Sequence, residues 1–229
     1  MRHIGVDLHK TNFVACFIAA DDKQRLETYP LTRDGLARFT RQLNAQDEVA
    51  VKATQNVHYF YDQVKAHVSR VPVVDTYRFG VVAKSKQKTD KADASALARF
   101  LKLGWLPEVP VPSEQVRTLR QLLQARETLV SMRIKLKNMA HAAFSRNGIA
   151  LRRAAFASRS GRARLLSRDD LPAADLLVLR ACLRQIEQLN SKVKGIEEEV
   201  MQRGKSLRGV RRLLQVHGLN LLSAISLLA

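Results

Sequence analysis

The stretch from Lys84 to Arg99, K-S-K-Q-K-T-D-K-A-D-A-S-A-L-A-R, sets two carboxylates, Asp90 and Asp93, among Lys84, Lys86, Lys88 and Lys91. On a helix the two acids project from one face, one turn apart. Such a pair holds a divalent cation when other carboxylates face it, and the lysines attract the phosphates on which that cation acts. The chemistry therefore requires a helix beginning here and an acid from elsewhere. Thr89, Asp90 and Asp93 favour a helix start, and Ala92, Ala94, Ala96, Leu97 and Ala98 favour its continuation. A purely structural reading stands beside this one: Asp90 as N-cap, Asp93 completing a capping arrangement, and the lysines as a solvated loop.

The facing acid is expected from the start of the chain. Residues 3 to 19, H-I-G-V-D-L-H-K-T-N-F-V-A-C-F-I-A, read as two β runs around a polar turn at His9 to Asn12. A third run near Arg25 to Pro30 completes a meander. Asp7 ends the first run, where a carboxylate either needs a partner or simply starts the turn. Leu31 to Asp34 opens a helix carrying Leu36, Phe39 and Leu43, followed by a strand at Glu48 to Lys52, a helix from about Val57 to Val68 and a strand at Val71 to Val74. This alternation predicts an α/β fold, a mixed sheet with helices packed on it, closed by the helix after Thr89.

Gly104 to Pro112, G-W-L-P-E-V-P-V-P, carries three prolines in nine residues and reads as a stiff, extended linker. Beyond it, Ser113 to about Ser145 predicts one long helix with an apolar stripe at Leu119, Leu122, Leu123, Leu129, Leu136 and Met139, ended by Asn147-Gly148. A second helix, about Ala173 to Gln202, carries Leu179, Cys182, Ile186, Leu189, Val193, Ile196 and Val200 as a heptad seam. Together they predict an antiparallel helical hairpin or coiled coil that packs internally or joins two chains as a homodimer. The terminal run exposes Leu221, Leu222, Ile225, Leu227 and Leu228 unless another segment covers it. The organisation expected is a first domain at 1–103, a linker at 104–112, the hairpin at 113–204 and the start of a further domain at 205–229.

The 229 residues carry 39 Lys and Arg against 21 Asp and Glu, a net charge of +18 and a pI near 10.6, so the natural partner is a polyanion, nucleic acid before membrane. No apolar run is long enough to span a bilayer, and the N-terminus lacks a secretory apolar core, which points to a cytoplasmic, nucleoid-associated protein. Cys16 and Cys182 stand in no metal-ligand spacing and read as buried thiols. Between Thr128 and Arg168 there is no acid at all, while Arg133, Lys135, Lys137, Arg146, Arg152, Arg153, Arg159, Arg162, Arg164 and Arg168 fall there. With Lys84, Lys86, Lys88 and Lys91, the residues from Arg133 to Arg153 in this run are the candidate phosphate contacts. A solvated connector near Ser158 to Arg164 is the alternative. Phe144 and Phe156 are the run's only aromatic residues, which favours backbone or duplex contact over base stacking.

G-V-D-L-H-K at 5 to 10, V-A-V-K-A-T at 49 to 54, V-D-T-Y-R-F at 74 to 79 and K-T-D-K-A-D-A at 88 to 94 together resemble the DEDD-type transposases of the insertion-sequence 110 and 1111 families. The resemblance runs over essentially the whole chain. It implies a RuvC-like, ribonuclease-H-type fold in which four acids gather around Mg²⁺ and two metal ions assist phosphoryl transfer. It also implies DNA as substrate and a structured RNA from the element as guide. Carried over by position, Asp7, Asp90 and Asp93 are the catalytic and metal-binding acids, and the family's Glu falls at Lys52.

That departure is chemically serious. An ammonium among three carboxylates pairs with them, offers no lone pair to a metal and repels a dication. Gln55 stands where the family usually has Gly, and H-G-L-N at 217 to 220 stands where the family has a P-G-I-G signature before a serine-bearing domain. The expectation is a truncated, catalytically impaired transposase, or a non-catalytic remnant that binds DNA or RNA, dimerises and interferes with intact transposase. A sugar-kinase or actin-like ATPase is rejected, since Leu8-His9-Lys10 is too bulky for a phosphate turn and no second Gly-rich loop follows. Among the histidines, His58 and His141 read as ordinary polar or core residues, whereas His9 is placed to touch a phosphate.

Overall fold

The computed structural model describes residues 1–82, 89–156 and 158–229, with all their side chains except those of Val82, Arg153 and Ala154. Lys84, Lys86 and Lys88 thus lie outside the described residues, as does the side chain of Arg153. The chain forms two compact units, Met1–Val111 and Pro112–Ala229.

In the first unit, β1 (His3–Leu8), β2 (Asn12–Ile18) and β3 (Gln24–Pro30) form an antiparallel meander. Helix α1 (Arg33–Thr40) leads to β4 (Glu48–Lys52), which returns parallel to β1 with Gly5 beside Ala50 and Val6 beside Val51. Helix α2 (Val57–Val64) and the short parallel strand β5 (Val73–Val74) follow, then α3 (Thr76–Val82) and α4 (Asp90–Leu103). Glu108–Val109, in the stretch that reads as a linker, pairs antiparallel with β5 as the edge strand β6. The sheet order is β3-β2-β1-β4-β5-β6.

Alternation along the strands sends each face to a different layer. Ile4, Val6, Phe13, Phe17, Val49 and Val51 pack with Phe39 of α1 and Phe60 of α2. On the other face, Val14, Cys16 and Ile18 meet Ala94 and Ala98 of α4, while Ala50 and Val74 meet Leu97, Leu101 and Phe79. Gly5 and Asp7, and beside them Ala50 and Lys52, belong to this second face. Gly5 is what lets α4 lie so close. A Cβ there would stand 2.2 Å from the Ala94 carbonyl oxygen and 2.3 Å from the Ala98 nitrogen.

Thr89, rather than Asp90, caps α4: its backbone is extended and its Oγ1 accepts from Ala92 N at 3.2 Å. Asp90 and Asp93 both fall in the first turn, where carboxylates suit the helix dipole. The helix stops at Gly104, which takes φ +69°.

The second unit contains α5 (Glu114–Arg146), a 3₁₀ turn (Arg153–Phe156), α6 (Arg159–Leu166), α7 (Ala173–Gly204), α8 (Val210–Leu213) and α9 (Leu221–Leu228). α5 and α7 run antiparallel, as the cross-links Gln115 to Arg203, Arg126 to Glu197, Arg133 to Asn190 and Arg146 to Asp175 show. The region read as a connector near Ser158 forms α6, whose Arg162 and Leu165 are buried.

Two open readings are settled within the chain here. Leu179, Cys182 and Ile186 of the heptad seam pack against Ala140 and Phe144 of α5 and against Phe156 and Leu165. Of the two alternatives read for the seam, internal packing is the one these residues show. The terminal run is also covered, because Ile225 is fully buried with Leu119, Val200 and Val210, and Leu221, Leu222 and Leu228 pack around them. Gly204 makes that contact possible, since a Cβ would stand 2.5 Å from the Ile225 side chain. Of the five residues named, Leu227 alone is mostly exposed, at 66%.

Candidate active site

The acids come together from separate elements. Asp7 stands near the C-terminal end of β1 with only 6% of its surface exposed, and Lys52 ends the neighbouring parallel strand. α4, held down at Gly5, lays Asp90 and Asp93 above them. Lys52 Nζ donates to Asp93 Oδ2 at 2.5 Å and lies 3.3 Å from Asp7 Oδ1. The Lys52 side chain is 14% exposed, so this is a largely buried ion-pair cluster.

His9, in the turn after β1, closes the other side. Its Nε2 is 3.3 Å from Asp7 Oδ2 and 3.2 Å from Asp90 Oδ2, sequestered from solvent, yet aligned for a hydrogen bond with neither. The backbone of this turn is held at two points: His9 N donates to Asn12 O at 2.9 Å, and Asn56 Nδ2, just ahead of α2, donates to His9 O at 3.4 Å. Burial pushes the Asp7 carboxyl above its ordinary range; the Lys52 ammonium and His9 oppose that rise, and Asp93 adds to it.

This geometry tests whether a metal fits. A hard dication needs its oxygen ligands within about 2.0–2.6 Å. The space between Asp7 Oδ1 and Asp93 Oδ2 that such an ion would take is the space of the Lys52 ammonium. A pair of cations held by four carboxylates does not fit these residues. Asp7, His9 and Asp90 remain as a separate group whose ligand atoms all lie within 4.8 Å of one another.

The sheet order, the parallel β1–β4 pair, the acid on β1 and the acid-bearing helix across that face define a ribonuclease-H-like α/β protein. Within that class, residues 4–147 match the family model of the insertion-sequence 110 DEDD transposases, described as transposase. The chain belongs to that family. The family acts on DNA, and its acidic signature calls for a divalent metal. The comparison with curated proteins finds no match. Among the described residues, no helix is long and apolar enough to cross a membrane.

The basic residues separate into two groups. Lys91, Lys135 and Arg152 are exposed. Others are engaged with neighbours: Arg133 donates to Asn190 at 2.9 Å, Arg146, itself exposed, pairs with Asp175 at 2.5 Å, and Arg162 lies 3.7 Å from Glu187. Burial, reinforced by Arg133 and Arg162, lowers the pKa of Lys137. The run without acids is thus partly neutralised by acids beyond it. His9 is the member of the site given too little weight by sequence reasoning. Strand periodicity does not place it, because β1 ends at Leu8 and His9 lies in the turn beyond.

Proposed function

We propose that this chain binds the DNA of its element, and the element's structured RNA, without performing two-metal strand cleavage. One observation carries the reading: Lys52 Nζ sits 2.5 Å from Asp93 Oδ2 and 3.3 Å from Asp7 Oδ1. A fixed ammonium neutralises the acids without activating a nucleophile or stabilising a leaving oxygen. It also makes the local surface less repellent to phosphate than three free carboxylates would be. In this reading the first unit presents the acid–lysine cluster and the second supplies the phosphate-contacting surface, with Lys135 and Arg152 as its exposed cations. Bound in this way, the protein competes with intact transposase for the element's ends.

The test pairs gel-shift binding with a nicking assay on duplex DNA, each in EDTA and in Mg²⁺. Binding that persists in EDTA, with no nicking in either condition, is expected. Mg²⁺-dependent nicking by the unaltered chain would overturn the proposal.

A further inference from the structure

We propose that the edge strand β3 pairs with β3 of a second copy of this chain, antiparallel and centred on Leu26, joining two sheets into one. The inference goes beyond the function proposed above and does not depend on it. β3 ends the sheet order, and among the described residues no strand lies beyond it. Gln24, Arg25, Leu26 and Thr28 are exposed.

The hydrogen-bond alternation shows which backbone groups face the open edge. Ala19 N donates to Lys23 O and Leu31 N donates to Thr11 O, so the odd-numbered residues of β3 bond inward to β2. The N–H and C=O of Gln24, Leu26 and Thr28 therefore point outward, and such an edge is a template for another strand.

Charge selects both the partner and the register. Arg25 and Glu27 share the face opposite Leu26 and lie 3.1 Å apart. With Leu26 across from its own copy, Arg25 of each chain stands across from Glu27 of the other. These are the non-hydrogen-bonded positions, where side chains approach most closely. Gln24 then stands across from Thr28, and every outward N–H meets a C=O. Other registers fail. A two-fold centred on Arg25 or on Glu27 sets that charge against itself. Centring on Gln24 runs Leu26 into the turn at Asp22, which takes φ +63°, and centring on Thr28 sets Leu26 against Pro30, which has no N–H. A strand complementary to itself calls for a second copy.

The α4 face leaves room for the joint. α4 packs on Val14, Cys16 and Ile18 of β2, whereas Leu26, beside Cys16 on that face, is 40% exposed. The paired leucines would cover each other. The two-fold axis stands perpendicular to the joined sheet, so both acid–lysine clusters would face the same side.

The experiment is sedimentation velocity of the full chain over a range of concentrations, in about 0.15 M salt to screen the long-range repulsion of a basic protein. A reversible dimer is expected. Arg25→Glu and Glu27→Arg should each weaken it roughly tenfold or more, by setting like charges opposite. Mixing the two variants should restore association, because each then supplies the charge the other lacks. A chain that stays monomeric, a dimer unaffected by either variant, or two folded variants that do not associate on mixing would each overturn the proposal. Amide exchange in the unaltered chain gives a readout that needs no variant. The N–H groups of Gln24, Leu26 and Thr28 should become protected as concentration rises, and exchange independent of concentration would equally overturn the pairing.

Discussion

Lys52 Nζ and Asp93 Oδ2 lie 2.5 Å apart across 41 residues of sequence, joining the end of β4 to the first turn of α4. In the function proposed above, this contact puts a covalently tethered cation where the family's metal would bridge the acids. The same ammonium also lies 3.3 Å from Asp7, which is almost wholly enclosed, and leaving that carboxylate without it would be costly.

Lys52→Ala should therefore destabilise the first unit, even though the site becomes less crowded. Breaking a buried pair costs several kcal/mol, and the partial exposure of Asp93 reduces this to about 2–3 kcal/mol. Chemical denaturation in EDTA, followed by circular dichroism and by the single tryptophan, Trp105, measures the loss. A midpoint unchanged from the parent would show that the ion pairs contribute nothing net.

Gly5→Ala should act on the same site from below. The added methyl meets the backbone of α4, which cannot rotate away as a side chain would, so α4 must shift off β1. Overpacking of this kind costs about 1–3 kcal/mol or more. The variant should lose stability in the first unit while hydrogen exchange in the α5–α7 hairpin stays as in the parent.

Asp47 gives a pH dependence. Its side chain is fully buried; burial raises its pKa, but hydrogen bonds from Arg2 and from Asn44 N outweigh that and hold the carboxyl below its ordinary value. A depressed folded pKa contributes stability above the unfolded value, near 3.9, and loses it as pH falls through the folded one. The difference in stability between parent and Asp47→Asn should be full at neutral pH and shrink below about pH 4. The raised pKa of Asp7 has the opposite sign, but it is common to both proteins and cancels. A difference that does not vary with pH would refute the assignment.

The proposed function assigns Lys135 and Arg152 to phosphate contact and Arg146 to holding the hairpin. Lys135→Ala and Arg152→Ala should each lower the slope of log K against log salt for duplex binding by about 1, uniformly across sequences. Arg146→Ala, which removes the partner of Asp175 at the tip of the hairpin, should change stability more than the salt slope. Equal effects on binding from all three would mean that the Arg146 pair opens on nucleic acid.

Period-two and helical patterns identified β1, β2, β4, α4, α5 and α7, because each buries one face and its sequence must alternate accordingly. α3 was not legible: T-Y-R-F-G-V-V is rich in β-branched and aromatic residues, and Phe79 becomes helical only by packing on Phe100 and the core. β6 was hidden by its flanking prolines, which an edge strand tolerates. In the site, the placing of Lys52 followed from the family resemblance, whereas His9 between Asp7 and Asp90 depends on the tilt of a turn. Likewise, the Arg146–Asp175 pair joins residues 29 apart across a hairpin, a distance at which charge counting along the chain sees no compensation.

The most direct test of the central claim is the nitrogen spectrum of the Lys52 ammonium, recorded by ¹H–¹⁵N correlation and assigned by its loss in Lys52→Arg. The structure predicts a Lys52 ammonium protected from solvent exchange, coupled to Asp93 and unmoved by saturating Mg²⁺. A Lys52 signal that exchanges as fast as surface lysines, or that is displaced as Mg²⁺ is added, would show that the cluster yields to metal and that the family's two-metal chemistry is open to this chain.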